Sequence, residues 1–260
     1  MEQIRFDGRY SLDYRPLTFE VGVLKVAMGS ARVTLENSVV LASIRGEIGS
    51  PAPDHKCGSL SISVNCDQAF AGQGLAYKQK ERDLENLLLS SFVGTSPSSS
   101  DQFFLSLHES GLVIQEGKRV WDLTADITLL SCDGDFTDIS FFALRLAFMN
   151  TFLPVIDLSS LNTILLSSSS PFLSLNCNQI PLAVKLFHFS NLFLIDPRPD
   201  EIMNTTGSVV IVATQDGTIN LIKKGGKTTL ELNSFSDLLS LASVCLNNLF
   251  RKCQIQENME

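Results

Sequence analysis

Between Gly111 and Leu130 the chain alternates: Trp121, Leu123, Ala125, Ile127 and Leu129 fall on one side of a strand, and Asp122, Thr124, Asp126 and Thr128 on the other. A period of two held that long commits the fold to a sheet with one buried face. The same signal recurs upstream. Between residues 13 and 48, Val21, Val23, Val26, Val33, Leu35, Val39, Val40, Leu41 and Ile44 are broken at Met28-Gly29-Ser30 and at Glu36-Asn37-Ser38, which predicts three antiparallel strands joined by two turns. A loop holding Pro51 and Pro53 follows, and then Ser59 to Asn65 alternates strictly.

The period changes from Lys78 to Phe92, where Leu84, Leu87, Leu88 and Phe92 stand at helical spacing, and Thr95 to Ser100 is expected to end that helix as a flexible stretch. After the Cys132-Asp133-Gly134-Asp135 turn, residues 136 to 150 read as an apolar helix closed by Asn150 and Pro154. Ser159 to Ser174 is serine-rich and reads as an irregular loop with some edge-strand character. Strands are expected at 181–189, 192–196 and 207–222, the last turning over at Gln215 to Thr218, and Ser234 is expected to cap an amphipathic helix through Leu249. The tail beyond Cys253 is polar and expected to fray. Strands followed by a helix, twice over, imply an α+β fold with mixed sheets and helices packed on one side. No linker divides the chain, so one domain is expected over 1–260: an N-terminal half to about residue 150, a C-terminal half over about 151–253 and a polar tail over 254–260.

Composition excludes several classes. Hydrophobic residues at 44% and charged residues at 18% describe a packed globule rather than a disordered chain. A formal charge of −8 argues against a stand-alone nucleic-acid binder, because phosphate neutralisation needs a basic surface. The six cysteines are scattered without a C-x-x-C pair, which reads as reduced thiols, and the opening residues lack a basic segment followed by an apolar run. A soluble intracellular protein is expected. His55, His108 and His188 do not fall at metal-ligand spacing, and Ser30 and Ser174 lack a nucleophile-elbow context. Asp122 and Asp126 share a strand face, where bonding to neighbouring strands is the expected role. Gly225-Gly226 with Lys223, Lys224 and Lys227 reads first as an exposed basic hairpin end, and second as an RNA or partner contact.

Several phrases then stand in a fixed order. Arg5-Phe6-Asp7-Gly8-Arg9 precedes Asp13-Tyr14-Arg15; Gly29 to Val33 and Val39 to Ala42 precede Glu47 to Pro51; Val120 to Asp126 leads into Cys132 to Asp135; and Ile195-Asp196-Pro197 runs through Gly207 into Val209 to Val212. This set, spread over nearly the whole chain, resembles the RNase PH family. Phe142 to Pro154 and Ile195 to Pro197 are most similar to the non-catalytic ring subunits of the eukaryotic RNA exosome. The resemblance implies an RNase PH-like (ribosomal protein S5 domain 2-like) fold and no cofactor. It also implies a heterohexameric ring with other RNase PH-like subunits, cap subunits of OB and KH type, and a separate hydrolytic 3′–5′ exonuclease. Single-stranded RNA would pass through the ring for rRNA and other RNA processing, in nucleus, nucleolus and cytoplasm.

The resemblance also says where chemistry belongs. Phosphorolysis holds inorganic phosphate against an already negative backbone, so its site needs positive charge and oriented donors. Active members resembling this chain use a Gly-Gly-Thr-Arg-Thr type loop at a helix start. Here the loop reads Gly134, Asp135, Phe136, Thr137, with Phe136 in the arginine's place. An Asp135 charge within about 4 Å of phosphate would repel it by roughly 1 to 4 kcal/mol. The acidic pair of active members, counted from Asp196, falls on Ile202 and Ser208, neither of which can serve as a general acid or hold a metal; Asp200 and Glu201 are near but out of register. Lys78, Lys80 and Arg82 remain at their helix start, as a solvated terminus or as an RNA contact. The expectation is a scaffold with a degenerate phosphate site and no catalytic or metal-binding residue, the alternative a working phosphate-dependent 3′–5′ exoribonuclease.

Overall fold

A computed structural model describes residues 5–52, 56–66, 75–93, 97–156, 172–173, 175–189, 192–227 and 232–257. Pro53, His55, Thr95, Ser96, Ser174 and most of the serine-rich 159–174 stretch lie outside them. The first sheet follows the alternation. Strands β1 (Leu17–Val21), β2 (Gly29–Leu35) and β3 (Ser38–Gly49) run antiparallel, and β3 pairs with β6 (Arg119–Ser131). Strand β4 (Ser59–Cys66) closes the order β1-β2-β3-β6-β4 and lies parallel to β6, while β5 (Val113–Gln115) pairs with the start of β6. A parallel neighbour needs a crossover, and two helices supply it: α1 (Leu75–Phe92) and α2 (Pro97–Leu107).

The second sheet has the order β10-β9-β11-β12, from β9 (Leu182–Phe189), β10 (Leu192–Leu194), β11 (Gly207–Ala213) and β12 (Ile219–Gly226), all antiparallel. Helix α3 (Thr137–Met149) joins the sheets, touching β1, β2, β3 and β6 on one side and β9 on the other. Burial from Thr137 to Phe148 is continuous, as a helix apolar on every face requires. Its one buried cation, Arg145, donates to the carbonyl of Ile180 and to Gln215 Oε1 at 2.8 Å, and stands 4.8 Å from the Phe250 ring centroid. Phe250 belongs to α5 (Leu232–Glu257), which covers β9 and β11. Short pieces complete the chain: β7 (Leu153–Pro154) pairs with β8 (Phe172–Leu173), a 3-10 turn spans Cys177–Gln179, and α4 (Pro199–Ile202) precedes β11.

The structure departs from expectation at several boundaries. The first turn occupies 22–28, not Met28 to Ser30: Gly29 and Ser30 already pair with Ile44 and Ser43, and Val26 is fully exposed. The 111–130 segment is interrupted at Glu116 to Lys118, so β5 and β6 form a tight hairpin. Pro97 to Ser100 opens α2 instead of remaining flexible; proline suits a first helical position, and Phe103, Phe104 and Leu107 bury the helix. Ser234 lies inside α5 rather than capping it, and that helix continues past Cys253 to Glu257. All six cysteines are free thiols. Among the described residues no helix is long and apolar enough to cross a membrane.

Candidate anion pocket at the start of the central helix

The loop from Cys132 to Phe136 carries the chain from β6 into α3, and its position is set by a buried ionic network. Arg15, 3% exposed, donates through Nη2 to Asp133 O at 2.8 Å and to Asp196 Oδ1 at 2.7 Å. Asp196, 2% exposed, also accepts Arg15 N at 2.8 Å and Arg9 Nη1 at 3.1 Å. Further along the same N-terminal segment, Arg5 holds the carbonyls of Ile195 and Asp196 at 3.0 Å and pairs with Glu201. Burial opposes the charge on Glu201, yet Arg5 and the Arg198 N–H keep its carboxyl below the usual range. Residues far apart in sequence, 5–15, 132–134 and 195–201, thereby become one rigid seam. Gly134 fits it only as glycine: φ is +113°, and a Cβ would sit 2.8 Å from Pro197 O.

Beside this seam lies a cavity of about 230 Å³. Helix α1 contributes Lys80, Asp83, Leu84 and Leu87; the loop contributes Gly134 to Thr137; Lys185 comes from β9, Ser208 and Val210 from β11, and Lys223 and Gly225 from β12. Residues singled out in the sequence from four separate stretches (Lys80, the loop Gly134 to Thr137, Ser208, and Lys223 with Gly225) thus share one wall system. Ile202 does not line it; it lies in α4 on the seam side of Gly134. Lys78 and Arg82 are exposed on α1 and outside the lining.

Two features of the wall decide its chemistry. Phe136 is 6% exposed and belongs to the core, so its side chain offers a ligand no cation and no donor. Asp135 differs from the expectation of a bare repulsive charge: Oδ1 meets Lys185 Nζ at 2.6 Å and Oδ2 accepts the Thr137 N–H at 3.0 Å. Burial raises its carboxyl, but the Lys185 ammonium together with the Thr137 hydrogen bonds outweighs that and holds it below the ordinary value. Lys185 escaped the sequence reading because its partner stands fifty residues away. The available signal was a lone cation inside the apolar run Leu182 to Leu186.

Behind Asp135 sits a second acid the sequence reading missed. Asp138 accepts Tyr14 Oη–H at 2.7 Å and Lys185 N–H at 2.8 Å. Burial, with the charge of Asp135 added, pushes its carboxyl well above the usual range. A raised folded value means the native chain binds the proton more tightly than the unfolded one, so stability falls as pH rises from the unfolded value through the folded one. Asp138→Asn keeps the acceptor for Lys185 and removes the titration. It is expected to raise the urea midpoint at mildly alkaline pH and to leave it nearly unchanged near about pH 3, where the acid is protonated in both states.

The remaining candidates have local roles. Asp122 and Asp126 each accept a serine hydroxyl from β4 at 2.6 Å, from Ser59 and Ser63, and Asp126 also pairs with Arg45. His188 Nδ1 is 2.8 Å from Thr206 Oγ1, and His108 Nδ1 is 2.7 Å from Ser110 Oγ. Lys224 Nζ donates to Gly226 O at 3.3 Å on β12. Among the described residues no group of three or more His, Cys, Asp or Glu is placed to hold a metal ion.

Known proteins similar to the chain agree with this architecture. The family model described as 3′ exoribonuclease family, domain 1 (RNase PH) matches residues 13–154. The exosome complex component Rrp42 of Thermococcus onnurineus is 30% identical over 232 residues, covering 87% of this chain and 82% of that protein. Rrp42 of Methanothermobacter thermautotrophicus is 25% identical over 238 residues, covering 92% and 85%. Among solved structures, an archaeal exosome core superimposes with a TM-score of 0.76 at 24% identity, covering 96% of this chain and 91% of its counterpart. The Archaeoglobus fulgidus exosome with RNA bound to the active site gives 0.78 at 24% identity, covering 95% and 92%. The fold is that of RNase PH, mixed α+β.

Proposed function

We propose, for a chain that belongs to the RNase PH family of 3′ exoribonucleases, that it is a ring subunit of an exosome and does not itself cut RNA. The observation that carries the second half is the buried ring of Phe136 at the helix start, where a phosphate-gripping cation belongs. Ser208 on the cavity wall supplies no carboxylate, and Ile202 stands outside the lining. The ring half is supported by relatives named as exosome components over most of their length.

In this reading the whole chain is one RNase PH-like domain that alternates with other RNase PH-like subunits in a heterohexamer. It offers two heterologous interfaces and part of a channel wall to single-stranded RNA. Cap subunits of OB and KH type, a separate hydrolytic exonuclease, and residence in nucleus and cytoplasm go with it, as does a place in the eukaryotic branch as a counterpart of the eighth human exosome component. Lys78, Lys80 and Arg82 are the residues it would lend to RNA. Affinity purification of the tagged chain from its own cells, followed by mass spectrometry, is expected to recover the other RNase PH-like chains of a hexamer in equal amounts. Recovery of the chain alone or only with itself would contradict ring membership.

The second reading, a working phosphate-dependent exoribonuclease, draws on the three lysines that still face the cavity: Lys80, Lys185 and Lys223.

A further inference from the structure

The start of α3 has the properties of an anion seat, and the groups that would hold an anion there are already bound to a carboxylate. A helix N-terminus concentrates partial positive charge on free N–H groups. Here the Thr137 N–H is directed at Asp135 Oδ2, at 3.0 Å, and no side chain of the capping residue Phe136 competes for it. From across the sheet Lys185 Nζ reaches Asp135 Oδ1 at 2.6 Å; the two side chains are only 20% and 16% exposed. One oxygen on a helix-end amide and the other on an ammonium is how a small oxyanion would be held. The cavity of about 230 Å³ that this carboxylate lines is also lined by Lys80, Lys223 and Ser208.

A carboxylate two residues from the amide it meets competes intramolecularly, and short tethers give effective concentrations in the millimolar range or above. Cellular oxyanions reach the same range but must also enter beside a negative charge. We propose that Asp135 is a built-in anion that occupies the chain's own oxyanion seat, and that removing its charge opens a site for a single phosphate-type oxyanion between the Thr137 amide and Lys185. The inference rests on the cavity being the degenerate phosphate site of the reading above, and it specifies what keeps that site closed.

The test compares the full-length wild-type chain with Asp135→Ser, titrating inorganic phosphate against chloride at matched ionic strength and following thermal unfolding and phosphorus NMR linewidths. The variant is expected to bind phosphate at least about tenfold more tightly than wild type, as removal of one like charge at contact distance implies. Adding Lys185→Gln to it should abolish the gain. Asp135→Ala, which removes both the charge and the acceptor for the Thr137 N–H, carries the same comparison if the serine variant fails to fold. In the wild-type chain the Thr137 amide resonance should stay in place as phosphate is added. Phosphate binding by wild type as tight as by the variants, a moving Thr137 resonance, or no gain in the variants would overturn the proposal. Failure of the underlying scaffold reading looks different: release of nucleoside diphosphates from RNA by the wild-type chain.

Discussion

Asp196→Ala is expected to destabilise the chain by about 3–5 kcal/mol, read as a lower urea midpoint with little change in slope. Asp196 and Arg15 are almost wholly out of water, and the carboxylate takes hydrogen bonds from the Arg15 backbone, the Arg15 guanidinium and Arg9. Removing one member of a buried pair leaves the other as an uncompensated charge, which costs far more than the pair contributes net. A second effect adds to it. Asp196 has φ of +44°, a left-handed conformation that aspartate and asparagine tolerate and alanine resists. Asp196→Asn keeps that backbone tolerance and separates the two contributions, and about half the loss or more should persist through the missing charge alone. Because Arg15 also holds Asp133 O, the loop entering α3 should loosen with it, seen as faster amide exchange from Cys132 to Thr137.

Gly29→Ala is expected to cost about 2–4 kcal/mol through overpacking. Here β2 begins against the C-terminal turn of α3, so closely that a Cβ would run into Thr151 Oγ1 and the Ala147 carbonyl, with Thr151 Cα at 2.9 Å. Two of these neighbours are backbone atoms, Ala147 O in the helix held between two sheets and Thr151 Cα just past its C-cap Asn150, so neither steps aside easily. Thr151→Ala clears only the hydroxyl, and the double variant should recover only part of the loss. A value under about 0.5 kcal/mol for Gly29→Ala would mean the helix and β2 do not approach as described.

Position 29 also shows what a sequence can and cannot convey. The alternation in β6, the strict pattern of β4 and the hairpin at Gln215 to Thr218 follow local rules, and the strands appear where those rules put them. Gly29 reads as a turn residue by the same rules, but its smallness serves a helix more than a hundred residues away. Pro97 to Ser100 reads as loop because serine and proline dominate it, whereas burial of Phe104 and Leu107 makes it the start of α2. Boundaries set by tertiary packing are the ones that local pattern misplaces.

The candidate site divides in the same way. The loop Gly134 to Thr137, Lys80 and Ser208 were marked by order along the chain, and the fold gathers them around one cavity. The charge balance of that cavity was not legible. Asp135 looked like an obstacle to an anion because nothing in the sequence ties it to Lys185, or ties Asp138 to Tyr14. Those pairings arise when β9 and the N-terminal segment close over the start of α3, and only then does the acid become a bound group instead of a bare charge.

The most direct measurement is a nuclease assay on the purified chain with 3′-labelled single-stranded RNA, with and without millimolar phosphate and a divalent metal. The account predicts no phosphate-dependent release of nucleoside diphosphates under any of these conditions. Release that requires phosphate and disappears when Ser208 or Lys185 is replaced would contradict it.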